Sequence, residues 1–433
     1  MAQPAPPRTR LEQLTHAAHL SVREFVERFN AAAVEHGEKA HVSERQAKRW
    51  LAGDSELPRP VSCRVLGRWW GESVERLLGL PEAGALTVPV TEEELIVNAG
   101  RESVEHSIEA ASALDASALD QLHGAAQRAA RDYYVAPPLA LLTDLVQLRN
   151  TVYQQLDRTH KPRQQAELYL IAGQACGLLS SVSWDLGYSD VSDEQARAAH
   201  TYGSVIDHPS LCAWARALQV TVMFWQGRPR RAASLAAAAL ETAPAGTASA
   251  RLHAVHARAL ALIGARQEVS AALDAAADEL DRAGDDAFLD EIGGELGFDR
   301  SRRALSAGTS FVALGDGARA EPEAVAALEL FGEMPARVRF AAGELGARID
   351  LSAARTLRGD LAGAQDALVP VFALDPARRT EALSRRLTSL GRVLGTVRYR
   401  GAVEAARIGE AIEDFTAGSL AQTIPRSISA PGD

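Results

Sequence analysis

Apolar residues recur every three to four positions along most of this chain, and no run alternates convincingly in the two-residue rhythm of a strand. The pattern predicts an all-α protein. One short stretch, Ser43 to Gly53, divides its faces sharply. Ala47, Trp50 and Leu51 fall at helical spacing on one side, while Arg45, Lys48 and Arg49 share the other. Ser43 followed by Gln46 has the form of a capping box, and Gly53 stands where a helix stops. An apolar back with a guanidinium-rich front suits the DNA major groove, which admits one helix and where Arg pairs bidentately with guanine. A charged helix face can equally be just solvated, so the surroundings have to decide.

Those surroundings read as four more short helices. Leu11 to Leu20 gives the first, with Leu11, Leu14 and Ala18 on one stripe. Ser21-Val22-Arg23-Glu24 is a second capping box, opening a helix with Phe25, Val26 and Phe29 at helical spacing. The first turn of that helix, with Ser21 and Arg23, can meet a phosphate through its free N–H groups. Gly37 ends it, and a turn runs to Val42. After Pro58-Arg59-Pro60 a helix carries Val61, Val65, Leu66, Trp69 and Trp70 to Gly71, and Ser73 to Leu78 forms the last.

Residues 11–80 thus resemble a Cro/C1-type (XRE-like) helix-turn-helix domain, in the variant attached to large helical bodies in actinobacterial regulators. The resemblance rests on Ser43-Glu44-Arg45-Gln46, Arg49-Trp50-Leu51-Ala52-Gly53, Pro58 and Val74-Glu75-Arg76-Leu77-Leu78. It implies that Glu44, Arg45 and Arg49 face bases, that Gln46 and Lys48 reach bases or phosphates, and that Ser21 and Arg23 hold backbone phosphates. Ser43 joins this DNA-binding set as the cap. The segment Ser21 to Val42 departs from the family by its length.

Before residue 11 a Pro-rich, polar stretch is expected to be a disordered tail, and its composition is not that of a signal peptide. Residues 81–91 shift to Pro, Gly, Ala and Val, a linker composition, and Thr91-Glu92-Glu93-Glu94 starts a new helix with acid in its first turn. Apolar stripes follow at Leu119, Leu122, Ala126, Ala129 and Tyr133, then at Leu142, Leu145, Val146, Val152 and Leu156. Beyond them a turn glycine recurs at Gly187, Gly227, Gly264, Gly315 and Gly359, separated by 40, 37, 51 and 44 residues and each followed by an Ala-rich run. Such a period argues for stacked helical hairpins, none able to bury its apolar face alone. The pattern over 92–416 resembles degenerate tetratricopeptide (TPR) repeats, with insertions where spacing exceeds the usual ~34 residues, notably near 284–300. Residues 417–433 are expected to form a second disordered tail.

Charge sharpens the division. The chain carries a net −10, yet residues 1–80 hold 12 basic and 10 acidic side chains against 34 and 46 in the rest. The surplus lies around the candidate helix, at Arg45, Lys48, Arg49, Arg59, Arg64 and Arg68. A basic head on an acidic body fits a DNA reader carried by a sensor. Three scattered cysteines offer neither a disulfide frame nor zinc spacing and fit a reducing cytoplasm, and no stretch supplies the ~20 apolar residues of a membrane span. Trp184, Tyr188, Tyr202, Trp214 and Trp225 cluster in the early repeats, where they either fill the core or line a ligand pocket.

Several motifs carry no chemistry. His16-x-x-His19 and His253-x-x-His256 lack a third metal ligand, and the glycines of Gly293-Gly294-Glu295-Leu296-Gly297 read as a flexible connection. Asp281, Asp285, Asp286 and Asp290 read as a solvated acidic patch without calcium-loop spacing. No nucleophile constellation stands out, so no enzyme, metal or cofactor is expected. The expected function is a cytoplasmic, nucleoid-associated transcriptional regulator. It would bind a palindromic DNA operator as a homodimer, its helical body dimerising and sensing a small-molecule or peptide effector. The alternative is a TPR-type scaffold that acts on another regulator without itself reading DNA.

Overall fold

The computed structural model describes residues 7–18, 20–54, 57–81, 96, 99–104, 106–107, 116–159 and 161–423. Among them all regular structure is helical. The chain divides into two compact units, Met1–Ser103 and Val104–Asp433.

The first unit contains α1 (Arg10–Ala17), α2 (Val22–Glu35), α3 (Glu44–Ala52), α4 (Pro60–Trp70) and α5 (Val74–Leu78). Each starts where the sequence supplies a cap or a proline. Ser21 and Ser43 form the two capping boxes, Pro60 opens α4, and Ser73 accepts from the Arg76 N–H. Phe25, Phe29, Trp50, Leu66 and Leu77 meet in one core with Leu11 and Val42. Part of the expected N-terminal tail belongs to this fold. Thr9 caps α1 and donates a hydrogen bond of 2.8 Å to the Leu51 carbonyl, and buried Arg10 pairs with Glu72 at 2.9 Å. Two polar side chains with partners inside the unit thus hold residues that composition assigned to a tail. Residues 1–6, nearly all of the 81–91 linker and the helix start at Thr91 lie outside the described residues.

The second unit opens with α6 (Ala116–Asp132) and α7 (Pro138–Arg158). Helical hairpins follow: α8 (Pro162–Asp185) with α9 (Ser189–Val205), α10 (Pro209–Trp225) with α11 (Pro229–Leu240), and α12 (Thr247–Ala261) with α13 (Arg266–Leu280). Then come α14 (Arg300–Ala313) with α15 (Gly317–Glu333), α16 (Ala341–Arg358) with α17 (Leu361–Phe372), and α18 (Glu381–Leu394) with α19 (Val403–Ala417). The unit is a helical solenoid. Gly187, Gly227, Gly264, Gly315 and Gly359 sit at the hairpin turns with φ of 84°, 77°, 79°, 69° and 93°. The last hairpin turns at Gly401, φ 85°, which the glycine series missed. No helix among the described residues is long and apolar enough to cross a membrane.

The first helix of each hairpin stacks on the first helix of the next, from α8 through α10, α12, α14 and α16 to α18. The stack closes, because α18 returns to touch α8. Arg385 makes that contact, its guanidinium lying 5.2 Å from the Trp184 ring and donating to the Trp225 carbonyl at 2.8 Å. Residues 417–423 correct the second expected tail. A short helix, α20 (Leu420–Thr423), folds back with Leu420 and Ala421 buried and the Leu420 N–H bonded to the Arg379 carbonyl.

The long spacing between Gly264 and Gly315 has a structural use. Residues 284–299 form a strap, including a π-helical turn at Ala287–Glu291, that packs against α6, α10 and α12. The Glu295 N–H bonds the Ala130 carbonyl, Arg251 donates to three strap carbonyls, and the Trp214 indole donates to the Glu295 carbonyl. Gly294 has φ +58°, and a Cβ there would collide with the Ala130 carbonyl, so close backbone approach requires this glycine. The expectation of a flexible connection is therefore wrong. The solvated acidic patch holds for Asp281 and Asp285, which are exposed, but not for the other two. Asp286 caps the π-helical turn and accepts from Ser210 at 2.5 Å, while Asp290 accepts from Thr247 and the Gly284 N–H.

Candidate functional site

In the first unit the arginine-bearing face of α3 is exposed and its apolar face is anchored. Trp50 packs edge-on against Phe29, with ring centroids 5.6 Å apart, while Ala47 and Leu51 are buried beside it. The preceding turn is tied down twice. Asn30 bonds both the N–H and the carbonyl of Val42, at 2.9 and 3.4 Å. Glu38 receives two hydrogen bonds from Arg64, at 2.7 and 2.9 Å, which hold its carboxyl below its ordinary range. Arg64, counted with the positive surplus in the sequence, is thus engaged within the unit. Asn30 and Glu38 carry no local signal of this role.

The exposed face gathers most of the expected DNA-binding residues. Glu44, Arg45, Lys48 and Arg49 line one surface groove with Arg8, Glu12, Asp54 and Val22, the first residue of α2. Arg45 and Lys48 make no hydrogen bond or ion pair to any described residue, and Arg49 reaches only the Asp54 carbonyl, at 3.2 Å. Ser43 and Gln46 are occupied in their mutual cap. Ser21 is likewise engaged with Glu24, and Arg23 pairs at the surface with Glu27 at 3.1 Å. Glu12, Glu44 and Asp54 offset part of the groove's positive charge.

In the second unit the five aromatic candidates separate. Trp184 and Trp225 stack 6.2 Å apart and line a cavity of about 160 Å³. Trp214 is a core residue, and Tyr188 packs at the edge of the same core. Tyr202 stacks on Tyr169 instead, 5.8 Å away. The cavity holds charged groups that periodicity did not single out: Asp185, Arg251, Arg258, Glu295, Arg302 and Arg386. Arg302 pairs with Glu295 at 3.0 Å, and Arg386 pairs with Asp350 at 2.6 Å. Arg251 and Arg258, seven residues apart on one face of an Ala-rich helix, were the available signal.

Asp185 accepts the Tyr133 hydroxyl at 2.7 Å, and burial pushes its pKa up to about 7 against the lowering effect of that hydrogen bond. Its unfolded counterpart ionises near ~4. The folded state therefore holds the proton more tightly, and this group's contribution to stability is lost as pH rises from about 4 through about 7. Asp185→Asn should raise the melting temperature at pH 8 while changing it little near pH 4. Half-buried His200, His208, His253 and His256, all pushed down mainly by burial, act in the opposite sense but are common to both proteins. Equal melting temperatures for the two proteins at pH 8 would refute the raised Asp185.

Compared with protein families and with curated proteins, the chain matches none.

Proposed function

We propose that this protein is a sequence-specific DNA-binding transcriptional regulator of the helix-turn-helix type, in which α3 reads the major groove. The observation that carries this reading is the pair Arg45 and Lys48. Both are exposed, and unpartnered among the described residues, on a short, capped helix whose other face is locked by Trp50. Long basic side chains held ready on a rigid support are what base and phosphate contacts require. Val22 in the same groove supports a docking in which the first turn of α2 meets the backbone. The solenoid would provide dimerisation and sensing, with two heads on two half-sites of a palindromic operator.

The test is binding to the DNA upstream of the protein's own reading frame, against a scrambled duplex, across a salt titration. Specific binding with a salt-dependent slope is expected. Equal affinity for both duplexes, or none, favours the scaffold reading. Arg45→Ala and Arg49→Ala should each cost about 1–3 kcal/mol of operator affinity and relax base preference at one position. Lys48→Ala should weaken all sequences alike and lower the salt slope by about one. Because all three side chains are exposed, circular dichroism melts should remain at wild-type values.

A further inference from the structure

We propose that the chamber inside the helical solenoid binds a small aryl monocarboxylate, with Arg258 as the group that receives the carboxylate. Arg258 stands out among the arginines of this chamber because its guanidinium bonds to no acceptor among the described residues. Arg251, Arg302 and Arg386 are bonded to strap carbonyls, Glu295 and Asp350 respectively. The Arg258 guanidinium lies 4.7 Å from the Phe224 ring and 5.7 Å from the Trp225 ring, and makes no hydrogen bond or ion pair to any described residue. Its Nε is fully enclosed and unsatisfied. Stacking on rings leaves the N–H donors along the edge of this half-buried guanidinium free to meet a ligand in the cavity, and the enclosed, unsatisfied Nε carries a cost that an acceptor there would relieve. A planar carboxylate fits that edge bidentately.

The surroundings define the rest of the ligand. A second cavity, of about 260 Å³, shares Trp225, Arg258 and Arg386 with the first, so Arg258 faces both. Trp184 and Trp225 give one cavity flat walls, and Val312 and Ile349 line the other. A dry cavity of about 150 Å³ holds benzene, so one aromatic ring with a short acidic arm is the right scale, while a peptide is too large. Glu295 and Asp350 also face these cavities, so one negative charge on the ligand is matched and a second is repelled.

This inference deepens the sensing part of the proposed regulator, but its test uses the full chain without DNA. Failure here leaves DNA reading intact, and failure of DNA reading leaves this untouched. The protein is titrated with benzoate, phenylacetate and indole-3-acetate, and with their neutral amides, by calorimetry and thermal shift. At least one acid should bind saturably and raise the melting temperature, its amide should bind about tenfold more weakly or worse, and Arg258→Gln should erase the difference. No binding by any of the acids at millimolar concentration, equal binding of acid and amide, or full acid binding by a folded Arg258→Gln protein each overturns the proposal. Should Arg258→Gln fail to fold, the acid-against-amide comparison on the wild type still decides.

Discussion

Trp50→Ala should unfold the first unit while the solenoid stays folded. The indole is 6 % exposed and packs on Phe29 at the centre of a core built from five short helices. Deleting it removes the largest side chain on the buried face of α3 and leaves a cavity that short helices cannot close. Such substitutions cost about 3–5 kcal/mol, which is a large share of a small domain's stability of roughly 5–15 kcal/mol. Thermal denaturation should show an early transition at the expense of the first unit, with the solenoid's transition unmoved. Operator binding should disappear with the early transition. The comparison with Arg45→Ala is the decisive one, because Arg45 is exposed and should change affinity alone. If Arg45→Ala unfolds the unit while Trp50→Ala leaves it folded, the assignment of the two faces is inverted.

Glu295→Ala should destabilise the second unit by about 3–5 kcal/mol, the usual cost of removing one member of a buried ion pair. The carboxylate accepts from Arg302 at 3.0 Å and from Ser181 at 3.2 Å, with Arg251 at 3.8 Å. Its loss leaves two enclosed guanidinium groups, Arg251 and Arg302, without the carboxylate they share. Urea unfolding should show a lower midpoint with a similar slope. Amide exchange should accelerate first along 286–298, where the strap would lose its anchor. An unfolding free energy within a few tenths of a kcal/mol of the wild type would mean that the backbone bonds to Ala130 and Arg251 suffice.

What the sequence made legible follows one physical division. Capping boxes, αL glycines and helical apolar spacing are decided within a few residues. The five helices of the first unit and the glycine-marked hairpin turns could therefore be read directly. The segment Gly293 to Gly297 could not. Its glycines suggest looseness locally, yet Gly294 is there so that the backbone can press against Ala130, far away in the chain. The same holds for Asp286 and Asp290, whose partners Ser210 and Thr247 are distant in sequence. Gly401 escaped because its turn follows a 3₁₀ segment, Val397–Tyr399, rather than a plain helix end. In the candidate groove, exposure of Arg45, Lys48 and Arg49 followed from periodicity, whereas the pairing of Arg64 with Glu38 did not. Of the aromatic cluster, only position in the folded solenoid could separate Trp184 and Trp225 from Trp214.

The contact of Arg385 with Trp184 and Trp225 alters how this repeat array should respond to shortening. In an open array each unit meets only its immediate neighbours, so an end can be trimmed with a local penalty. Here the last hairpin is also a neighbour of the first. Deleting it would strip a cover from α8 as well as from α16, and damage would surface at both extremities together.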